Sequence, residues 1–95
     1  MFGVVFSERA NETFESIQLQ LLERWGETIV IKFEERTLSV LENISKSPFI
    51  YQAIETDPNV RKAVIQKNCS LFYRIHQNKI IVLFFWDNRQ DPVLL

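Results

Sequence analysis

From Val60 to Pro92 the chain reads VRKAVIQKNCSLFYRIHQNKIIVLFFWDNRQDP, and this stretch decides the fold. It divides into three β-forming runs, Val60–Lys67, Ser70–Gln77 and Lys79–Trp86. In the middle run, alternation turns Leu71, Tyr73 and Ile75 to one face of a strand and Phe72, Arg74 and His76 to the other. The break at Gln77-Asn78 suits a tight hairpin, with Asn78 expected to take the positive φ. Ile80 to Trp86 is apolar at every position. A strand with one wet face alternates, so this run predicts a central strand covered on both sides, by helices on one and by a partner protein on the other.

Working back from the meander, Pro48 to Pro58 reads as an irregular connector whose Phe49, Ile50 and Tyr51 are tacked onto the core. Before it, Val30, Phe33, Thr37, Val40 with Leu41, and Ile44 recur at helical spacing. They predict a helix from about Glu27 to Ser45, ended by Ser47-Pro48 because the residue before proline is pushed out of the α region. Ala10, Phe14, Ile17, Leu21 and Trp25 form an earlier stripe, started at Ser7-Glu8 and closed by Gly26 at a C-cap that needs no Cβ. Val4-Val5-Phe6 is a short strand. The order β-α-α-β-β-β predicts an α+β fold, a helical hairpin packed on a mostly antiparallel twisted sheet.

The chain has 95 residues, enough for one domain (1–95) and too few for two. Its lone cysteine, Cys69, and lone histidine, His76, exclude a disulfide framework and a structural zinc site on ligand count. No signal peptide opens the chain, and the apolar run Ile80–Trp86 is far shorter than the ~20 residues a membrane-spanning helix needs. The expectation is a soluble cytoplasmic protein with no membrane, metal or cofactor. Formal net charge is −1, but it is unevenly spread. Residues 1–59 hold 5 basic and 10 acidic side chains, or −5; residues 60–95 hold 6 and 2, or +4. Such asymmetry suggests an anionic partner for the C-terminal part, or two solvated faces.

Several side chains in that basic part are candidates for chemistry. Arg89, in Asp87-Asn88-Arg89-Gln90-Asp91-Pro92, sits where the chain leaves the sheet; its fork suits a phosphate or carboxylate. Equally, Asp87 or Asp91 can pair with Arg89 in an Asx-type turn that merely ends the strand. Arg74 and His76 share a strand face. Pairing that brought Arg61 or Lys67 beside Arg74, with Lys62 near, would make a cationic patch for an RNA backbone. His76 is the side chain whose ordinary pKa suits acid–base work near neutrality. The catalytic candidates are therefore Arg89, Arg74 and His76, and the RNA- or target-binding candidates Arg61, Lys62, Lys67 and Arg89. Cys69 lacks a neighbouring base that would make it a nucleophile.

These strings, Val60-Arg61-Lys62-Ala63-Val64-Ile65, Leu71-Phe72-Tyr73-Arg74-Ile75 and Ile80 through Pro92, resemble the C-terminal half of RelE/ParE toxins, the ParE-like branch most closely. The N-terminal strand and helical hairpin fit the same family in order and length. The resemblance implies the toxin of a type II toxin–antitoxin module, tied to plasmid stabilisation and growth inhibition and neutralised by a cognate antitoxin. RelE-like members cleave mRNA on the ribosome without metal or cofactor; ParE-like members inhibit DNA gyrase. Arg89 matches the arginine ending the last strand of RelE-like toxins, and Arg61 falls near a lysine they use. The sequence departs from the ribonuclease pattern at Ser70, where a catalytic arginine is expected, and at Ala63, where a second lysine is. It also ends without a C-terminal tyrosine or histidine. Binding a target such as gyrase is accordingly the first expectation, RNA cleavage the second, and an inactive interaction module the third.

Overall fold

A computed structural model of the chain describes residues 1–89. The first strand, β1 (Gly3–Phe6), runs into α1 (Glu8–Trp25) and α2 (Glu27–Lys46). A meander follows: β2 (Ala53–Ile54), β3 (Asp57–Gln66), β4 (Cys69–His76) and β5 (Lys79–Asp87). The sheet has the order β1-β5-β4-β3-β2. β1 pairs parallel to β5, and every other pairing is antiparallel. The expected α+β order is thus found, with two differences. β2 and the first turn of pairing in β3 lie inside the stretch read as irregular. The positive φ of the β4–β5 hairpin falls on Gln77 (φ 55°), not on Asn78.

Gly26 has φ 88°, a backbone conformation that a Cβ would strain, and its N–H closes α1 onto the Leu22 carbonyl at 3.0 Å. The helices double back around this residue. Phe14 stacks on Phe33 (ring centroids 5.3 Å apart) and Gln18 Nε2 donates to Glu34 Oε2 at 2.8 Å, two contacts nested about the turn. Along α2, Phe33, Thr37, Val40 and Ile44 are buried as the spacing requires. Along α1 the stripe fades: Ala10 is fully buried, but Trp25 is 64% exposed.

β5 is not the middle of the sheet. β1 pairs with it only from Lys79 to Val82. Beyond that point the side of β5 is closed by the start of α1. Ser7 N–H donates to the Val82 carbonyl (3.0 Å) and Ser7 Oγ to the Leu83 carbonyl (2.8 Å). Thr13 Oγ1 accepts from Phe85 N–H at 2.9 Å while donating to the Arg9 carbonyl at 2.7 Å. Side-chain oxygens thereby replace the missing strand and leave those backbone groups satisfied.

Register fixes which residues share a face. Arg61, Tyr73 and Val82 form one cross-strand row, and Ala63, Leu71 and Phe85 the next, both turned to the helices. Val60, Arg74 and Ile81 form a row on the opposite face, beside Lys62, Phe72 and Phe84. A break in register between Phe72 and Tyr73 leaves Leu83 unpaired, so Phe84 and Trp86 stay on that opposite face. The main core unites Ala10, Phe33, Val40 and Ile44 with Leu71, Tyr73, Ile80 and Phe85. Val60, Phe72 and Phe84 are buried too but stand outside it. Among the described residues, no helix is long and apolar enough to cross a membrane.

Candidate functional site

Three places hold the charged residues of the meander. The first is the connector. Arg61 points to the helix side of the sheet, where Nη1 donates to the carbonyls of Tyr51 (2.7 Å) and Phe49 (3.2 Å), and its guanidinium lies 5.0 Å from the Phe49 ring. Tyr73 Oη donates to the Pro48 carbonyl at 2.6 Å, and burial pushes its phenol up to about 12. Arg61 and Tyr73 together hold down the Pro48–Pro58 connector; the backbone carbonyls they engage would otherwise be unpaired. Arg61 is therefore separated from Arg74 by the thickness of the sheet, and the expected pairing between them does not form.

The second place is the rim where β5 ends. Asp87 is held well below the ordinary carboxylate range, chiefly by the Arg89 side chain. Arg89 in turn is raised by Asp87, to which Nη2 donates at 2.6 Å and Nε at 3.0 Å. Arg89 N–H also donates to Asp87 Oδ1, closing the Asx-type turn that ends the strand. Asn88 ties the turn down: its N–H donates to the Asn68 carbonyl (2.7 Å) and its side-chain amide to Ser70 Oγ (2.9 Å). Gln90, Asp91 and Pro92 lie outside the described residues. Beside this rim, between the end of α1 and the β3–β4 turn, is a cavity of about 350 Å³ lined by Leu21, Arg24, Trp25, Cys69, Asp87 and Arg89 among others. Burial and the Asp87 charge push the Cys69 thiol up to about 12, so it is protonated and poorly nucleophilic near neutrality.

The third place is the sheet face turned away from the helices. Arg74 Nη1 meets Asp57 Oδ2 at 2.8 Å. Asp57 lies below the ordinary carboxylate range, first because Asn59 N–H caps it and then because of Arg74. His76 is exposed at the end of β4, directly across from Lys79. Lys62 stands 5.9 Å over the Phe72 ring, Phe72 stacks on Phe84 at 4.8 Å, and Arg9 caps Phe84 at 4.2 Å. Lys67 is in the β3–β4 turn, beyond this face.

Of the six candidates, the structure thus brings together Lys62, Arg74 and His76 on one face. It places Arg61 on the other face, Lys67 in a turn and Arg89 at the rim against Asp87. Ser70 and Ala63, where the ribonuclease pattern calls for arginine and lysine, are each fully buried. Among the described residues, this arrangement does not set an acid–base side chain within a cluster of unengaged cations. Sequence reasoning missed Arg9, which reaches the open face from the first turn of α1. It also missed Asp57, which reads as part of the connector. A helix-start arginine carries no sequence signal of contact with Phe84, because the two are 75 positions apart.

A family model described as "ParE toxin of type II toxin-antitoxin system, parDE" matches residues 4–92. Among solved structures, the chain is similar to one described as the chromosomal ParDE toxin–antitoxin system from P. aeruginosa, at TM-score 0.76 and 13% identity, covering 92% of this chain and 96% of that one. A copper-bound mutant toxin from Helicobacter pylori aligns at TM-score 0.68 and 16% identity, over 94% and 97% of the two chains. YoeB from Staphylococcus aureus, solved as a dimer, aligns at TM-score 0.65 and 13% identity, over 90% and 94%. At such identities these structures share the fold. No curated protein matches the sequence.

Proposed function

Because the chain belongs to the ParE toxin family of type II toxin–antitoxin systems, we propose that it arrests growth by binding a target protein such as DNA gyrase, rather than by cutting RNA, and that a cognate antitoxin neutralises it. One observation carries the choice of mode: the candidate side chains do not converge on a cleavage site. Metal-free cleavage at a 2′-hydroxyl needs a base beside the hydroxyl and cations aimed at the phosphate where charge develops. Here Arg74 and Arg89 each engage a carboxylate, and Arg61 engages backbone carbonyls. His76 stands at a hairpin end with Lys79 across from it. The two positions that would complete a ribonuclease are filled by buried Ser70 and Ala63.

The test is inducible expression of the chain with and without the reading frame beside its gene, followed by assays of the purified protein. The expected result is growth arrest relieved by the neighbouring product, inhibition of gyrase supercoiling in vitro, and intact mRNA. Ribosome-dependent mRNA cuts that disappear in Arg89→Ala would replace this reading with the ribonuclease one. Absence of growth arrest, with a stable complex to the neighbouring product, would leave a pure interaction module.

A further inference from the structure

We infer that the cavity between the end of α1 and the β3–β4 turn binds a small aromatic carboxylate, with its ring against Trp25 and its head on Arg24. The site lies on the helix side of the sheet and does not depend on the toxin reading. It arises from a change in side-chain size along one face. Leu71 and Phe85 pair across β4 and β5 and meet the helices, the Phe85 ring lying 4.9 Å from that of Phe14. Two residues further along the same face, the paired Cys69 and Asp87 are both short. A space of about 350 Å³ opens there under the end of α1. Trp25 lines it without filling it and is 64% exposed.

The lining combines an apolar wall with a charged mouth, the pattern of a small-molecule site. Ile17, Leu21 and Ile29 are half-buried along it, and the protonated Cys69 thiol adds no charge. Arg24, Asp87 and Arg89 are shared with a wider hollow outside, which Gln20 and Glu23 also border. Asp87 is taken up by Arg89, which donates to it from both Nε and Nη2. Arg24 forms no ion pair among the described residues, so its guanidinium is open to a ligand. Two cations against one carboxylate match a single negative charge. A phosphate dianion or a nucleic-acid strand would set unbalanced charge beside apolar walls. The planar fork of Arg24 suits a carboxylate, and the exposed indole of Trp25 suits an aromatic face. Gln66 and Asn68 supply side-chain amides for a ring N–H or hydroxyl.

The probe is indole-3-acetate, titrated into the full chain and followed by calorimetry and by backbone amide shifts. Its neutral counterpart indole-3-ethanol and the dianion phenyl phosphate are the comparisons. The expected Kd for the acid is about 0.1–1 mM, with the alcohol and the phosphate each about 10-fold weaker. The largest shifts fall at Leu21, Ile29, Asn68 and Cys69. Arg24→Gln weakens the acid about 10-fold and leaves the alcohol unchanged, whereas Trp25→Ala weakens both about 5-fold. Ile29→Trp fills the space and abolishes binding. Arg36→Gln, which removes an exposed cation elsewhere on α2, binds as the parent does. Equal affinity for acid and alcohol overturns the inference, as does Arg24→Gln with unchanged affinity for the acid. Tighter binding of phenyl phosphate, shifts centred outside the cavity, or no binding up to about 10 mM acid also sinks it. Binding that appears only after deletion of residues 90–95 gives the cavity to the segment following Arg89 instead. If Ile29→Trp does not fold, the variants at the exposed Arg24 and Trp25 still decide the matter. Every readout is binding to the purified chain, so a chain that fails to arrest growth removes the toxin reading and leaves this site to be judged by its own titrations.

Discussion

The two faces of the sheet bury aromatic residues by different means. On the helix side, Tyr73, Leu71 and Phe85 are enclosed by Phe14, Phe33 and Ile44; of the buried polar groups in that layer, Tyr73 Oη is matched to the Pro48 carbonyl and Thr37 Oγ1 to the Phe33 carbonyl. Phe85 alone meets both Phe6 and Phe14, at ring distances of 5.6 and 4.9 Å. On the open side, among the described residues, no helix or strand of another layer covers Phe72 and Phe84. They are hidden by each other, by the edge-on ring of Trp86 against Phe84, and by the long stems of Lys62 and Arg9, whose charged heads stay in water. Equal burial thus has unequal causes. A wall of packed side chains is rigid and dry, whereas a cover of cationic stems stays open to water at its charged heads.

That contrast can be broken most directly by truncating one ring on each face. Phe85→Ala empties a site walled by other rings and is expected to cost about 4 kcal/mol. Phe72→Ala should cost less, about 3 kcal/mol or below, because the stem of Lys62 can settle into the gap. Urea melts of the two variants measure the difference, and equal losses would mean the open face is packed as firmly as the core.

The polar tethers come next. Tyr73→Phe leaves the buried Pro48 carbonyl without its donor and is expected to cost about 1–2 kcal/mol. It should also raise amide exchange in the connector 48–56. Arg9→Ala removes the cation over Phe84 and is expected to cost about 0.5–1 kcal/mol. Its exchange signature falls in β5 around Phe84 instead. A connector response to the arginine variant would show the two layers to be coupled.

The smallest effect is the acid limb. Asp57 and Asp87 are lowered on folding, Asp57 first by Asn59 N–H and then by Arg74, Asp87 first by Arg89. A carboxylate with a depressed folded pKa stabilises the fold above its unfolded pKa of about 4, and that increment disappears as pH falls through the folded value. Thermal melts should therefore show Tm dropping below about pH 4, more gently in Asp57→Asn and in high salt. Both pairs are open to water, so the drop is modest.

The helices and the meander were legible in the sequence because each depends on local periodicity. Phe33, Thr37, Val40 and Ile44 announce a helix, and the alternation through Leu71, Tyr73 and Ile75 announces a strand. Where the sequence was misread, a longer-range cause prevailed. Asn78 is the better residue for positive φ on propensity, yet the hairpin register puts Gln77 there. The apolar run from Ile80 to Trp86 does mark a strand apolar on both faces. Half of its outer edge, however, is closed by Ser7 and Thr13 instead of a neighbouring strand. The candidate site was legible as a set of residue types but not as a constellation. Arg61 and Lys62 are adjacent in sequence and opposite in space, so a row of cations along β3 is necessarily split between two faces.

The sequence by itself determined the order of elements, the alternation that sorts Leu71 from Phe72, the family resemblance, and the absence of arginine at 70 and lysine at 63. Each of these is a property of single positions or of neighbours a few residues apart. Only the tertiary structure decided that Arg61 clips the connector, that Arg74 is bound to Asp57, and that Arg9 arrives from another element to cover Phe84. Those outcomes depend on strand register and on where α1 meets the unpaired edge of β5. A one-residue change in pairing would reverse every face, and no local pattern records it.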